Sequence, residues 1–206
     1  MNYTLNRKKN NKKAYIRVTN GEVIVNAPYF MSKREIDQFV NNNKEWIISQ
    51  LTKDRIVQDN DIIYLLGTQY IVQIHNELCC YVKDEYIYLY RNKKMIDSFL
   101  YKNIQHYMES RFLYFCRQLD IHDVSLKFGV YKSKWGSCTP KKKLICFNVN
   151  LIFMPLDFID AIILHELAHL YYLNHSKDFY NLLLSWMPQY KEVIKKGKEY
   201  HVPRLY

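Results

Sequence analysis

The residues of this sequence with the clearest chemistry are His165, Glu166 and His169, set in Leu164-His165-Glu166-Leu167-Ala168-His169-Leu170. On a helix, four residues turn the chain through about 400°, so both imidazoles leave one face a turn apart. That spacing lets each give a nitrogen to a single zinc ion. Glu166 is rotated by about 100° from His165 and points beside the metal, where a carboxylate can take a proton from a zinc-bound water. His-Glu-x-x-His is the pattern of a zinc protease, and the mechanism sets the spacing. The plain alternative is an amphipathic helix carrying two solvated or packed histidines. Its flanks, Phe158, Ile159, Ile162, Ile163, Leu164, Leu167 and Leu170, are apolar on most sides, which predicts a largely buried helix. Two imidazoles and a carboxylate are costly there without a strong partner, and zinc is such a partner.

A catalytic zinc usually has three protein ligands and one open position. His175, six residues past His169, is the preferred third ligand. Tyr172 stands where a metzincin would have glycine, so the chain must turn sharply by other means. Asn174 is the candidate for that turn, because Asn tolerates the left-handed conformation. Glu192, Glu199 and His201 are the rival ligands, since some zinc proteases take a carboxylate from a following helix. The plain alternative for His175 is a loop residue beside a helix cap at Ser176.

Residues 134–190 resemble the YgjP-like metallopeptidase domain, a bacterial group related to SprT-like and minigluzincin zinc proteases. Three blocks carry the likeness. They are Lys134-Trp135-Gly136-Ser137-Cys138, the strand Ile145-Cys146-Phe147-Asn148-Val149-Asn150-Leu151, and the zinc motif followed by Asn174-His175-Ser176 and Phe179. The likeness extends more weakly toward the amino terminus through Ala27-Pro28, Trp46-Ile47 and Leu66-Gly67. It implies zinc on His165, His169 and His175, with Glu166 as catalytic base. The family has Arg where this chain has Lys134, which keeps the charge and loses a bidentate fork.

The 206 residues suit one or two domains with a sizeable core. Hydrophobic content of 49% with 19 Tyr excludes a disordered chain, and no apolar run is long enough to span a bilayer. Five cysteines, an odd number with Cys79 and Cys80 adjacent, do not form a disulfide framework. With no signal-peptide pattern after Met1, the expected compartment is the cytoplasm. A formal charge of +10 favours acidic partners. Residues 1–13 hold Arg7, Lys8, Lys9, Lys12 and Lys13 and no acid, which reads as a solvated end, a lysine-guarded edge strand or, less simply, a nucleic-acid arm. Residues 127–143 hold six lysines and no acid. Beside a cleft they would favour acidic peptides or nucleic-acid-bound proteins; otherwise they are a solvated surface.

The elements that must position these groups follow from pattern. Ala14–Val18 and Val23–Val25 flank Asn20-Gly21, a hairpin signal. Ser32-Lys33-Arg34-Glu35 is a capping box opening a helix to about Lys53, with Ile36, Phe39, Val40, Ile47 and Leu51 as its stripe. Four short strands are expected across 62–90. The tyrosines at 86, 88 and 90 share one face there, packing on a helix or, less simply, forming a base-stacking platform. A long helix is predicted over 95–119, then strands over 124–130 and 144–151 around a turn-rich 134–143. The zinc helix follows, with Pro155 in its first turn, then a helix capped by Ser176 and a last helix to about Tyr200. The fold class is therefore α+β. A zincin-like catalytic domain over 95–206, its zinc helix beside a small antiparallel or mixed sheet, is preceded by a β-rich region with one helix over 1–94.

The expected function is a zinc-dependent metallopeptidase acting on a peptide or protein substrate. The alternative is a non-catalytic zinc module that binds protein or nucleic acid. Tyr171, Tyr172, Tyr180 and Asn148 are candidate oxyanion donors. The strand over 144–151 could offer substrate an edge, Trp135 is a core plug or a subsite wall, and Cys138 is structural.

Overall fold

The computed structural model describes residues 1–19 and 21–206, the side chains of Lys53 and Asp54 excepted. Two compact units result, one of Met1–Val57 with Pro203–Leu205 and one of Gln58–Val202 with Tyr206. The architecture is α+β, with small sheets of mixed direction and, among the described residues, six α-helices. No helix is long and apolar enough to cross a membrane.

In the first unit, β1 (Thr4–Lys8), β2 (Tyr15–Thr19) and β3 (Glu22–Pro28) form a sheet with β3 central, parallel to β1 and antiparallel to β2. The basic amino-terminal run thus supplies an edge strand, where lysine and arginine guard unpaired backbone groups. Asn20 of the expected Asn-Gly turn lies outside the described residues; Gly21 has a φ of 73°. Val23, Val25 and Ala27 pack with Ile36, Val40 and Ile47 in the core. The single helix expected from Lys33 is two, α1 (Lys33–Asn42) and α2 (Lys44–Asp54). The capping box at Ser32 and Glu35 forms as expected. The break falls on Asn43, whose side-chain amide donates to the Phe39 carbonyl at 2.8 Å. Asn side chains compete for helix backbone in this way.

The second unit begins with β4 (Ile62–Leu65), β5 (Thr68–His75), β6 (Tyr81–Lys83) and β7 (Tyr86–Tyr90), in the order β4-β5-β7-β6. Leu66 and Gly67, with φ of 50° and 78°, make the two-residue turn between β4 and β5. Ile87 and Leu89 face the core, whereas the alternating tyrosines are half-buried on the opposite face. Tyr88 stacks on Tyr81 with ring centroids 4.7 Å apart, so this ring packs across strands.

The long helix α3 (Lys93–Gln118) buries Ile96, Leu100, Ile104, Met108, Phe112 and Cys116 at every fourth position. Beyond it β8 (Ser125–Gly129), β9 (Gly136–Thr139) and β10 (Leu144–Asn148) form a mixed sheet in the order β8-β10-β9. Two expectations change here. Part of the stretch read as turns is strand β9, and β10 has no edge to offer because β8 and β9 pair with it on both sides. β10 also stops at Asn148, and Val149–Phe153 is a 3-10 turn.

α4 (Leu156–Ala168) packs against β9, against α5 (Lys177–Trp186) and against α6 (Tyr190–Gly197). Pro155 is its N-cap, one place before the first turn. Ile159, Ile163 and Leu167 are fully buried. At roughly 1.5–3 kcal/mol each, their burial holds α4 in place whether or not its histidines have a metal. Arg111 of α3 pairs with Asp160 of α4, Nε donating to Oδ1 at 2.9 Å, which fixes the helix's rotation.

Candidate functional site

His165 and Glu166 lie in the last turn of α4 and His169 is its C-cap. The chain then doubles back to Ser176, whose hydroxyl caps α5 by accepting from the Phe179 amide. Asn174 does not take the left-handed conformation expected of it; no residue from 170 to 175 does. The reversal comes instead from tight turns, with Leu170 N–H donating to the Leu167 carbonyl and both Tyr171 and Tyr172 N–H to Ala168.

That reversal brings His175 to the two helix histidines. Ligand nitrogens of His165, His169 and His175 all lie within 4.8 Å of one another. His165 Nε2 and His175 Nε2 are 3.1 Å apart. Two ligands of one tetrahedral zinc, each ~2.0–2.1 Å from it, stand about 3.3 Å apart. The rivals Glu192, Glu199 and His201 are not in this group among the described residues.

The other ring nitrogens of the two helix histidines are already engaged. His169 Nδ1 lies 2.9 Å from the Tyr172 carbonyl, to which it donates. His165 Nδ1 lies 2.8 Å from the Tyr190 hydroxyl of α6. The carbonyl fixes His169 with Nδ1–H donating and the Nε2 lone pair toward the cluster, and the Tyr190 hydroxyl can accept from His165 in the same tautomer. Burial, then the neighbouring His169 and His175, push the His165 pKa down to about 4, so the ring is neutral. Burial lowers His169 as well, against the pull of the Tyr172 carbonyl. Neutral imidazoles with converging lone pairs suit a zinc ion.

Glu166 is 5% exposed, and its Oε2 is buried without a hydrogen-bond partner. Burial raises its pKa to about 7, with Lys134 pulling the other way. An unpartnered buried carboxyl oxygen is expensive, and buried acids with shifted pKa values cluster at functional sites. β9 supplies the opposite wall. Gly136, Ser137, Cys138, His165, Glu166, His169, Leu173 and His175, with Pro140, line a cavity of about 310 Å³. The Lys-Trp-Gly-Ser-Cys block therefore faces the histidines across the cleft, and the lysine-rich loop borders it through Pro140. Lys134 Nζ donates to Ser137 Oγ at 3.1 Å and sits over the Tyr131 ring.

Some candidates have other work. Both amide hydrogens of Asn148 go to the Tyr131 and Lys134 carbonyls, at 2.8 Å each, so this side chain clamps the loop before β9 and is not a free oxyanion donor. The Cys138 thiol is pushed up to about 11, by burial first and then by Glu166 and Cys146, which keeps it a neutral wall residue. Tyr190 was not singled out by sequence; its contact with His165 is set by the α6 packing, which leaves no short-range pattern.

The sequence matches the YgjP-like, metallopeptidase domain family over residues 12–199. No curated protein matches the chain. Among solved structures, the metallopeptidase zymogen abylysin of Pyrococcus abyssi is similar at a TM-score of 0.40 and 20% identity, over 43% of this chain and 89% of that one. The metallopeptidase zymogen jannalysin of Methanocaldococcus jannaschii is similar at 0.40 and 23%, over 44% and 93%.

Proposed function

Because the chain belongs to the YgjP-like metallopeptidase family, we propose that it hydrolyses peptide bonds with one zinc ion on His165, His169 and His175 and Glu166 as general base. The observation that carries this reading is the Glu166 carboxyl, buried, unpartnered at Oε2 and set beside three convergent imidazoles in the wall of an open cavity. A purely structural metal site needs no such group.

When bound, zinc supplies a Lewis acid that brings the pKa of a water from about 15.7 toward 7 and polarises a carbonyl oxygen. Glu166 takes the proton of the attacking water and returns it to the leaving amine. A carboxyl raised toward neutrality by burial is suited to both transfers. Tyr190 and the Tyr172 carbonyl hold the two helix imidazoles in the tautomer that leaves Nε2 free. The substrate backbone lies along β9, the outer strand of its sheet, which borders the cavity. The zinc helix beside this small mixed sheet supports a zincin-like domain.

Glu166→Gln tests the proposal. The variant is expected to keep about one zinc per chain and to lose peptide hydrolysis by roughly 10²–10⁴-fold, the usual worth of a general base. Full retained turnover would reject the mechanism.

A further inference from the structure

A second cavity, of about 410 Å³, also has Glu166 in its wall. Gly136, His165 and Glu166 line both spaces, so a chain passing the histidines along β9 also passes the mouth of this one. Its walls are mostly aromatic and aliphatic: Trp135, Phe158, Ile162, Tyr190, Ile194 and Tyr200. Trp135 meets Phe158 edge-on at 5.6 Å and is itself only partly buried, so the ring walls the space without filling it. The cavity's size falls among those that take small ligands, ~300–1,000 Å³. The residues lining it include two cations, Lys134 and Lys198, and no acid besides Glu166.

We propose that this cavity receives a large apolar side chain of the substrate, at a residue flanking the bond that is cut. The inference rests on the peptidase reading above and deepens it by naming a substrate class. An aromatic or long aliphatic side chain gains most by leaving water for such walls. A lysine or arginine side chain is excluded, because it would be desolvated beside Lys134 and Lys198 with no exposed acid to meet it. Ile194 is the residue through which the preference can be altered, since it sits half-buried on α6, away from the histidine nitrogens.

The zinc-loaded full chain is given a mixed peptide library and its cut sites are read by mass spectrometry. Matched quenched peptides with Phe, Ala or Lys at the preferred position follow. Phe, Tyr, Leu or Met is expected at one flanking position, with Lys and Arg depleted there. In Ile194→Trp the Phe-to-Ala ratio of kcat/KM should fall by at least tenfold, and in Ile194→Ala the library cut sites should shift toward Trp at that position. A ratio is indifferent to how much of a variant folds. Cleavage with no apolar enrichment, or a ratio unmoved in both variants, overturns the cavity's role and leaves the peptidase standing. No hydrolysis of any peptide by zinc-loaded protein overturns the peptidase reading and this inference with it.

Discussion

Glu166 stands so close to Gly136 that a Cβ on the glycine would lie 2.7 Å from both Cγ and Oε1 of the carboxylate. The strand across the cleft therefore fixes the carboxylate's position by offering bare backbone where any side chain would collide. Gly136→Ala must shift either β9 or Glu166. A displacement near 1 Å at a reacting group costs about 10²-fold. Hydrolysis should fall by about that factor, while the histidines, anchored on other elements, keep their metal. Kinetics alongside metal analysis check this; unchanged kcat/KM would mean that the contact sets nothing.

The Tyr190 hydroxyl lies 2.8 Å from His165 Nδ1 and is its hydrogen-bond partner, and its own pKa is pushed up to about 12 by burial first, so it stays neutral throughout the working range. Tyr190→Phe removes this partner and leaves a buried ring nitrogen unpaired, at a cost of about 1–3 kcal/mol. Metal affinity should drop about 10–100-fold, as for other groups that orient a ligand from behind. Competition against a chromophoric chelator measures it, and an unaltered affinity would show that packing alone orients the ring.

The contrast between Tyr190 and His169 shows what could be read in advance. His165, Glu166 and His169 are legible because one helix turn sets their relation, and His175 because a short connection limits its reach. The long period of α3 and the capping box at Ser32 are likewise local. What escaped depends on distant pairing. β9 reads as turns because Gly136-Ser137-Cys138-Thr139 has low strand preference, and only β10 beside it makes it a strand. Asn43 breaks a helix whose apolar stripe runs on past it. Tyr190 reaches His165 only because Gly197 lets α6 close on Phe158, where a Cβ would stand 2.1 Å from the ring.

Cys116, 8% exposed on α3, has its thiol pushed up to about 11 by burial. At pH 8 such a group is roughly one part in a thousand thiolate, against about a quarter for an ordinary cysteine. Alkylation of the native protein at pH 8 should spare Cys116 while the denatured chain is labelled at all five cysteines. The linkage has a definite sign. Between the ordinary thiol range and about 11 the unfolded chain loses this proton and the folded one keeps it, so stability falls as pH rises. Cys116→Ala should flatten that part of a urea-midpoint profile against pH, and an equal slope in both proteins would remove the thiol as its cause.

His175 sits on an exposed loop, held near the helix histidines by the tight turns after Ala168 and by the cap at Ser176. Its neighbours His165 and His169 are carried by a helix whose packing does not depend on it. His175→Ala should therefore fold normally, with an unchanged urea midpoint in the metal-free state. On the proposed reading it takes away one of three zinc ligands, and two imidazoles alone are a poor zinc site. The wild type is expected to purify with about one zinc per chain, and the variant to lose most of it on dialysis against a weak chelator. Stoichiometric zinc retained in the variant would instead direct attention to Glu192, Glu199 and His201, and the effect of alanine at each would then decide which of them completes the site.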